Sequence, residues 1–233
     1  MSIPSLIITQ IGHDHKFEEV WELQSHLQQS LVKSKRKGVM DKANHLLICE
    51  HPHVYTLGKS GDEANLITSS EELAAQNVTF HKINRGGDIT YHGPGQVTVY
   101  PIFDMDHFYN DLHRFVRELE QIVINVLAHY SIEGDRIKEF TGVWLDVDSP
   151  NKRKICAIGI HMSRWVSMHG FALNINTDLN FFNNIIPCGI NDQDKSVTSI
   201  SQELGREVDC QEVIGLIIAE FKTMFGFTDL SFG

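Results

Sequence analysis

The chain is poor in cysteine, with four in 233 residues, and they are scattered at Cys49, Cys156, Cys188 and Cys210 with no CxxC pair. That spacing excludes a disulfide framework and a thiolate zinc ribbon, and it suits free thiols in a reducing compartment, so a cytoplasmic protein is expected. Positive charge is also scarce. Twenty Lys and Arg stand against thirty Asp and Glu, a net charge of -10, which argues against a general nucleic-acid binder, whose affinity rests on neutralising phosphates. No apolar run is long enough to span a bilayer. The opening MSIPSLIITQIGHD lacks the basic start, long apolar middle and small-residue cleavage site of a signal peptide. There is no GxSxG elbow, no GxxxxGK[ST] phosphate loop and no HExxH, so serine-hydrolase, P-loop and zincin chemistry lose support. Thirteen histidines invite a metal, but the pairs His51-Pro52-His53 and His13-Asp14-His15 lack ligand spacing, and no metal is expected.

What the chain does have is glycine in one dense stretch. Arg85 to Gln96 reads RGGDITYHGPGQ, with four glycines in twelve residues. A tight turn would account for Gly86-Gly87 or for Pro94-Gly95 alone, but not for both flanking the β-prone Ile-Thr-Tyr-His. Glycine lets the main chain approach a bound group closely. The stretch therefore reads as a ligand-shaped binding loop, with Arg85 and His92 as polar handles and Asp88 as a turn residue.

Periodicity organises the rest. Ile3 to Ile11 reads as a strand and Phe17 to about Lys35 as an amphipathic helix, with basic residues in its last turn and Gly38 as a stop. His45 to Glu50, Val54 to Leu57, Val78 to Asn84 and Val97 to Phe103 read as strands, and Ser69 with Glu72 forms a capping box. His107 to Tyr130 carries an apolar stripe and reads as one helix. Val143 to Val147 and Lys154 to Ile160 read as strands joined by SPNKR. Arg164 to Ser167 and Phe171 to Ile175 read as a further pair separated by His169-Gly170. Ser196 to Leu204 and Glu212 to Phe225 read as closing helices. With no repeat or linker, residues 1–233 are expected to form a single α+β domain with a mixed or mainly antiparallel sheet flanked by helices.

Cysteine chemistry is the remaining catalytic option. Cys49 lies in the apolar run HLLICEH and reads as a small core residue. Cys188, between Pro187 and Gly189, sits where a loop can expose a sulfur. Cys156 is its rival, two residues along a strand from Lys154, whose charge would favour thiolate. The residues alone leave both cysteines open.

Together RGGDITYHGPGQVTVYP (Arg85 to Pro101), KICAIGI (Lys154 to Ile160), HGFALNIN (His169 to Asn176) and PCGI (Pro187 to Ile190) resemble the lipoyl(octanoyl) transferases, supported by EHPHVYTLGK and SVTSISQEL. The resemblance implies a biotin/lipoate protein ligase-like fold and transfer of an octanoyl group from octanoyl-acyl carrier protein to a lysine of lipoyl domains. Acceptors would be the lipoyl-bearing subunits of 2-oxoacid dehydrogenases and the glycine-cleavage carrier protein. It implies Cys188 as the nucleophile that becomes an acyl-thioester and Lys154 as the residue that lowers its pKa. It implies a substrate site lined by Arg85, Gly86, Gly87, Asp88, Ile89, Thr90, Tyr91 and His92, by Ala157, Ile158 and Gly159, and by Gly170, Phe171 and Ala172. No ATP or metal would be needed, and no nucleic acid or membrane is expected as partner. The rival within the superfamily is a lipoate or biotin ligase, which activates its acid as an adenylate and needs no cysteine.

Overall fold

The computed structural model describes residues 4–13, 15–39, 43–186 and 195–233. In chain order it contains β1 (Ser5–Gly12), α1 (Phe17–Arg36), β2 (Ala43–Cys49), β3 (Val54–Leu57), α2 (Ser70–Ala75), β4 (Thr79–Lys82), β5 (Ile89–His92) and β6 (Gln96–Ile102). Then come α3 (Leu112–Ala128), β7 (Asp135–Ile137), β8 (Phe140–Leu145), β9 (Lys152–Ser163), β10 (Val166–Asn174), β11 (Lys195–Val197), α4 (Ile200–Leu204), α5 (Cys210–Phe225) and β12 (Asp229–Phe232). Short 3₁₀ turns at Glu63–Asn65, Met105–His107 and Leu179–Asn184 join some of them.

The main sheet runs β12-β1-β2-β6-β10-β9-β8-β7, with β11 alongside β9, and it mixes parallel and antiparallel pairs. Both faces are covered. On one, α3 and α5 bring Phe115, Leu119, Val123, Ile217 and Phe221 against Leu46, Val97, Val99 and Leu173. On the other, Val20 and Leu31 of α1 meet Leu47, Tyr100, Ile102 and Met168. Central strands β6 and β10 are consequently buried along their whole length, which is why they do not alternate apolar and polar residues. A second, three-stranded sheet, β4-β3-β5, packs its own cluster around Tyr55, Tyr91 and Phe182. The mixed sheet flanked by helices agrees with the expected α+β class.

Local expectations fare unevenly, for identifiable reasons. The Ser69–Glu72 capping box forms, with both reciprocal hydrogen bonds. The expected helix from His107 begins five residues later. Asp111 caps it by accepting from the Arg114 N–H, and Phe108 instead packs on Phe103, Phe225 and Phe227. The turn expected at His169-Gly170 is absent, and β10 runs straight through it. The hairpin lies at Arg164 and Trp165, with φ of 48° and 62°. That two-residue turn has positive φ at both central positions without the Asn-Gly or Asp-Gly that usually signals it. His169 also has a positive φ, 63°, and is held there by its N–H donating to Gln24 Oε1 (3.1 Å) and by Nε2 to Asn84 Oδ1 (2.7 Å). The expected helix at Ser196 to Leu204 is divided into β11 and α4, because Val197 joins the sheet edge beside Lys154.

Candidate active site

The glycine-rich stretch is two turns around a strand. β5 pairs antiparallel with β3, placing Gly86-Gly87 at one end and Pro94-Gly95 at the other. The first turn is tied on two sides. Gly86 N–H donates to Ile160 O of β9 (3.1 Å), while Lys59 and Ser60 donate to Arg85 O (3.0 Å) and Gly87 O (3.2 Å). Gly87 has φ 87° and lies so close to Gly58 that a Cβ on Gly58 would sit 2.2 Å from Gly87 O. The second turn is held by Glu50, whose Oε2 accepts from Gly95 N–H at 2.7 Å.

Between the first turn and β9–β10 lies a cavity of about 310 Å³, at the small end of ligand clefts. Arg85 to Thr90, Ala157 to Ile160 and His169 to Ala172 form its walls, Lys154 opens onto it, and Leu112, Phe140 and Thr141 form a rim. Phe182 and Val197 also border it, from the segments that lead into and out of residues 187–194. Small residues on β9 and β10 leave an apolar slot between the turn and the sheet. The slot opens beside Lys154.

The model of the lipoyl protein ligase A/B catalytic domain matches residues 17–222. An octanoyltransferase of Christiangramia forsetii is 51% identical over 215 residues, covering 90% of this chain and 91% of the relative. The chain belongs to this family, among its octanoyltransferases. Solved structures agree on the fold. One of Plasmodium falciparum LipL1 in complex with lipoate has a TM-score of 0.71 at 15% identity, covering 98% of this chain and 65% of that one. The biotin protein ligase of Aquifex aeolicus with biotin and ATP has a TM-score of 0.54 at 14% identity, covering 94% and 70%.

In this family member the expected site residues are not equivalent. Arg85 is only 8% exposed, and its guanidinium donates to Thr56 O (2.6 Å), Thr56 Oγ1 (3.0 and 3.3 Å) and Gly86 O (3.0 Å). It braces the turn against β3 as well as bordering the cavity. His92 joins a buried relay. Gln96 Nε2 donates to Tyr91 O (3.1 Å) and Asn174 Oδ1 (2.9 Å), which leaves Gln96 Oε1 to accept from His92 Nδ1 at 2.8 Å. Asn174 Nδ2 donates to Thr198 O (2.9 Å), and Thr198 N–H to Lys154 O (2.9 Å), so the loop and the lysine's strand are joined. Tyr91 faces away from the cavity, with its hydroxyl on His53 Nδ1 (2.7 Å) and its ring stacked on Phe181. Lys154 Nζ lies 4.5 Å from the centre of the Trp144 ring, a cation–π contact with its direct cross-strand neighbour. Cys188 lies outside the described residues.

The described cysteines are poor nucleophiles. Cys156 is fully buried in the main core, where burial and then the Glu120 charge push its thiol well above the usual range, against the smaller lowering by Lys154. Burial raises Cys49 to about 12 and half-buried Cys210 to about 11. Sharing a strand with Lys154 therefore does not make Cys156 reactive, because desolvation outweighs the lysine.

Sequence reasoning missed Gln96, Asn174, Phe140 and Phe182. Gln96 was marked by its place in the loop. Asn174 lay within the HGFALNIN motif, whereas Phe140 and Phe182 come from separate segments whose convergence leaves no local signal.

A pH dependence follows from the buried imidazoles. Burial lowers His51 and His169 to about 3 and His92 to about 4. Unfolded, each takes up a proton near pH 6.5, whereas the native state holds it neutral. The unfolded chain thus binds more protons below pH 6.5, and stability falls as pH drops through that value toward 4. The loss is up to about 1.4 kcal/mol per pH unit for each histidine. Urea midpoints measured from pH 7.5 to 4 should fall throughout that window, and a flat profile would contradict the buried neutral assignment.

Proposed function

We propose that this chain transfers an octanoyl group from octanoyl-acyl carrier protein to a specific lysine of lipoyl domains, through a thioester on Cys188. About half identity to an octanoyltransferase across nine-tenths of both chains carries this reading. The burial of the described cysteines supports it, since Cys49, Cys156 and Cys210 all hold their thiols protonated and leave Cys188 for the nucleophile.

The chemistry runs in two balanced steps. The Cys188 thiolate attacks the octanoyl carbonyl, the carbon–sulfur bond to the carrier's phosphopantetheine breaks, and that thiolate leaves and takes up a proton. The acceptor lysine's neutral amine then attacks the new thioester, the Cys188 thiolate departs, and the amine's proton passes to a base. Exchange of one thioester for another is nearly balanced, and amide formation supplies the driving force, so neither ATP nor a metal is required. Lys154 as ammonium stabilises the departing thiolate, and as amine it accepts the proton. Both tetrahedral intermediates need fixed N–H donors.

The octanoyl chain fits the slot between the Gly86-Gly87 turn and Ala157, Gly159 and Ala172. Lipoyl-bearing subunits of 2-oxoacid dehydrogenases and the glycine-cleavage carrier protein are the acceptors, met by a single cytoplasmic catalytic domain. Among the described residues no helix is long and apolar enough to cross a membrane, and no cluster of three or more His, Cys, Asp or Glu is arranged to hold a metal ion.

Purified protein given octanoyl-acyl carrier protein and an apo lipoyl domain, without nucleotide, should octanoylate the domain. With the carrier alone it should accumulate an adduct on the peptide containing Cys188. A strict requirement for ATP would assign the chain to the ligase chemistry instead.

A further inference from the structure

Asp88 borders the cavity, yet its carboxylate is engaged by the protein. Oδ1 accepts from the N–H of Ile89 (2.7 Å) and of Asp62 (3.2 Å), and Oδ2 accepts from Asn65 Nδ2. Three donors thus converge on this one carboxylate. Asn65 carries the connection onward, because its backbone carbonyl accepts from Ile186 N–H at 2.8 Å. Beside it, Leu66 bridges antiparallel to Ile185, and Ile67 N–H donates to Asn184 O at 3.0 Å. Residues 65–67 and 184–186 therefore form a short two-stranded tie ending two positions before Cys188.

The preceding turn is anchored separately. Tyr55 Oη donates to Phe181 O (2.6 Å) and accepts from Asn184 Nδ2 (3.0 Å), and the Phe181 ring stacks on Tyr91 and His53. Tyr55 and Tyr91 are buried on neighbouring strands of the small sheet, so residues 181–184 rest on a rigid base. Beyond that base, the Asn65 backbone carbonyl holds Ile186 N–H, while the Asp88 carboxylate holds the Asn65 side chain.

We propose that Asp88 and Asn65 are positioning residues for acyl transfer: they fix residues 184–186, and so the point from which the chain reaches Cys188. This rests on Cys188 being the nucleophile. One turn would then do two jobs, with its glycine backbone walling the acyl slot and its carboxylate setting the approach to the sulfur. Displacement by about 1 Å from attacking distance can cost on the order of a hundredfold in rate.

The test is single-turnover acylation of Cys188 by an octanoyl thioester, followed by peptide mass spectrometry, with melting curves for every variant. Asp88→Ala and Asn65→Asp should each slow acylation, by up to on the order of a hundredfold, while KM for the thioester stays near wild type. Asn65→Asp sets two carboxylates face to face. Adding Asp88→Asn to it restores a donor against an acceptor and should recover most of the rate.

Wild-type acylation rates in both Asp88→Ala and Asn65→Asp would overturn the proposal. So would an Asp88→Ala variant that raises KM but keeps its rate at saturation, because Asp88 would then contact substrate directly. A well-folded Asp88→Asn/Asn65→Asp protein that stays slow would overturn it as well. If wild-type protein acylates elsewhere than Cys188, the underlying assignment fails, and the peptide map distinguishes that result from the others.

Discussion

On the proposed thioester mechanism, Cys188→Ala should lower octanoyl transfer by at least about a thousandfold, because removing a covalent nucleophile removes both chemical steps together. The same variant should leave no octanoyl adduct on incubation with the acyl donor alone. The described cysteines, Cys49, Cys156 and Cys210, all have thiols raised by burial. Cys156 is the nearest to Lys154 along the chain, but its sulfur is buried in the core and its thiol stays protonated. Cys156→Ala should accordingly keep the adduct and most of the turnover, at a cost confined to packing. Rapid quench with mass analysis of both variants decides the matter. An adduct that survives in Cys188→Ala and disappears in Cys156→Ala would reverse the assignment. Lys154→Met provides the complementary measurement. Without the ammonium, the Cys188 thiol should titrate at higher pH, visible as an upward shift in the pH profile of iodoacetamide labelling.

Gly170→Ala should be strongly destabilising. Gly170 faces Gly159 across the β9–β10 ladder, and a Cβ on it would lie 1.9 Å from Val99 O and 2.8 Å from Pro101 Cδ. Both obstacles belong to β6, on the other side of β10, and β6 cannot retreat because β2 and α1 hold it. Overpacking of this kind costs about 3 kcal/mol or more, which for a chain of this size lowers Tm by roughly 10 °C. Thermal melting is the measurement, and a variant that melts with the wild type would refute the close approach. Gly159→Ala should differ in kind. Its Cβ would meet Gly86 O at 2.8 Å and Arg85 Cδ at 3.1 Å, so it pushes on the turn that walls the slot. It should impair octanoyl transfer more than it lowers Tm. Gly170 thus borders the cavity while its missing side chain makes room for the neighbouring strand.

Much of the fold was legible in sequence. The 3.6-residue stripe of α3 and α5, the basic end of α1 and the Ser69–Glu72 capping box are local signals, and each produced the element expected. The errors fall where local chemistry is silent or misleading. Arg164-Trp165 makes a positive-φ hairpin from residues that do not advertise one, while His169-Gly170 looks like a turn and lies inside a continuous strand. The late start of α3 follows from Phe108 joining an aromatic cluster assembled from Phe103, Phe225 and Phe227, distant in sequence. At the site, the glycine-rich stretch announced itself by composition. The dual role of Asp88 did not, because its partners Asp62 and Asn65 lie more than twenty positions upstream.

Sequence by itself determined the family and the α+β class, because ordered motifs and periodicities are properties of the chain alone. Only the tertiary structure decided how residues of the same type are buried and partnered. It set Cys156 in a dry core where desolvation outweighs a neighbouring lysine, and it turned Tyr91 away from the cavity. It also gave the arginine of the loop a bracing contact with β3. Burial and hydrogen-bond partnership depend on which segments meet. That is settled by how the sheet stacks its strands, and no window of sequence contains it.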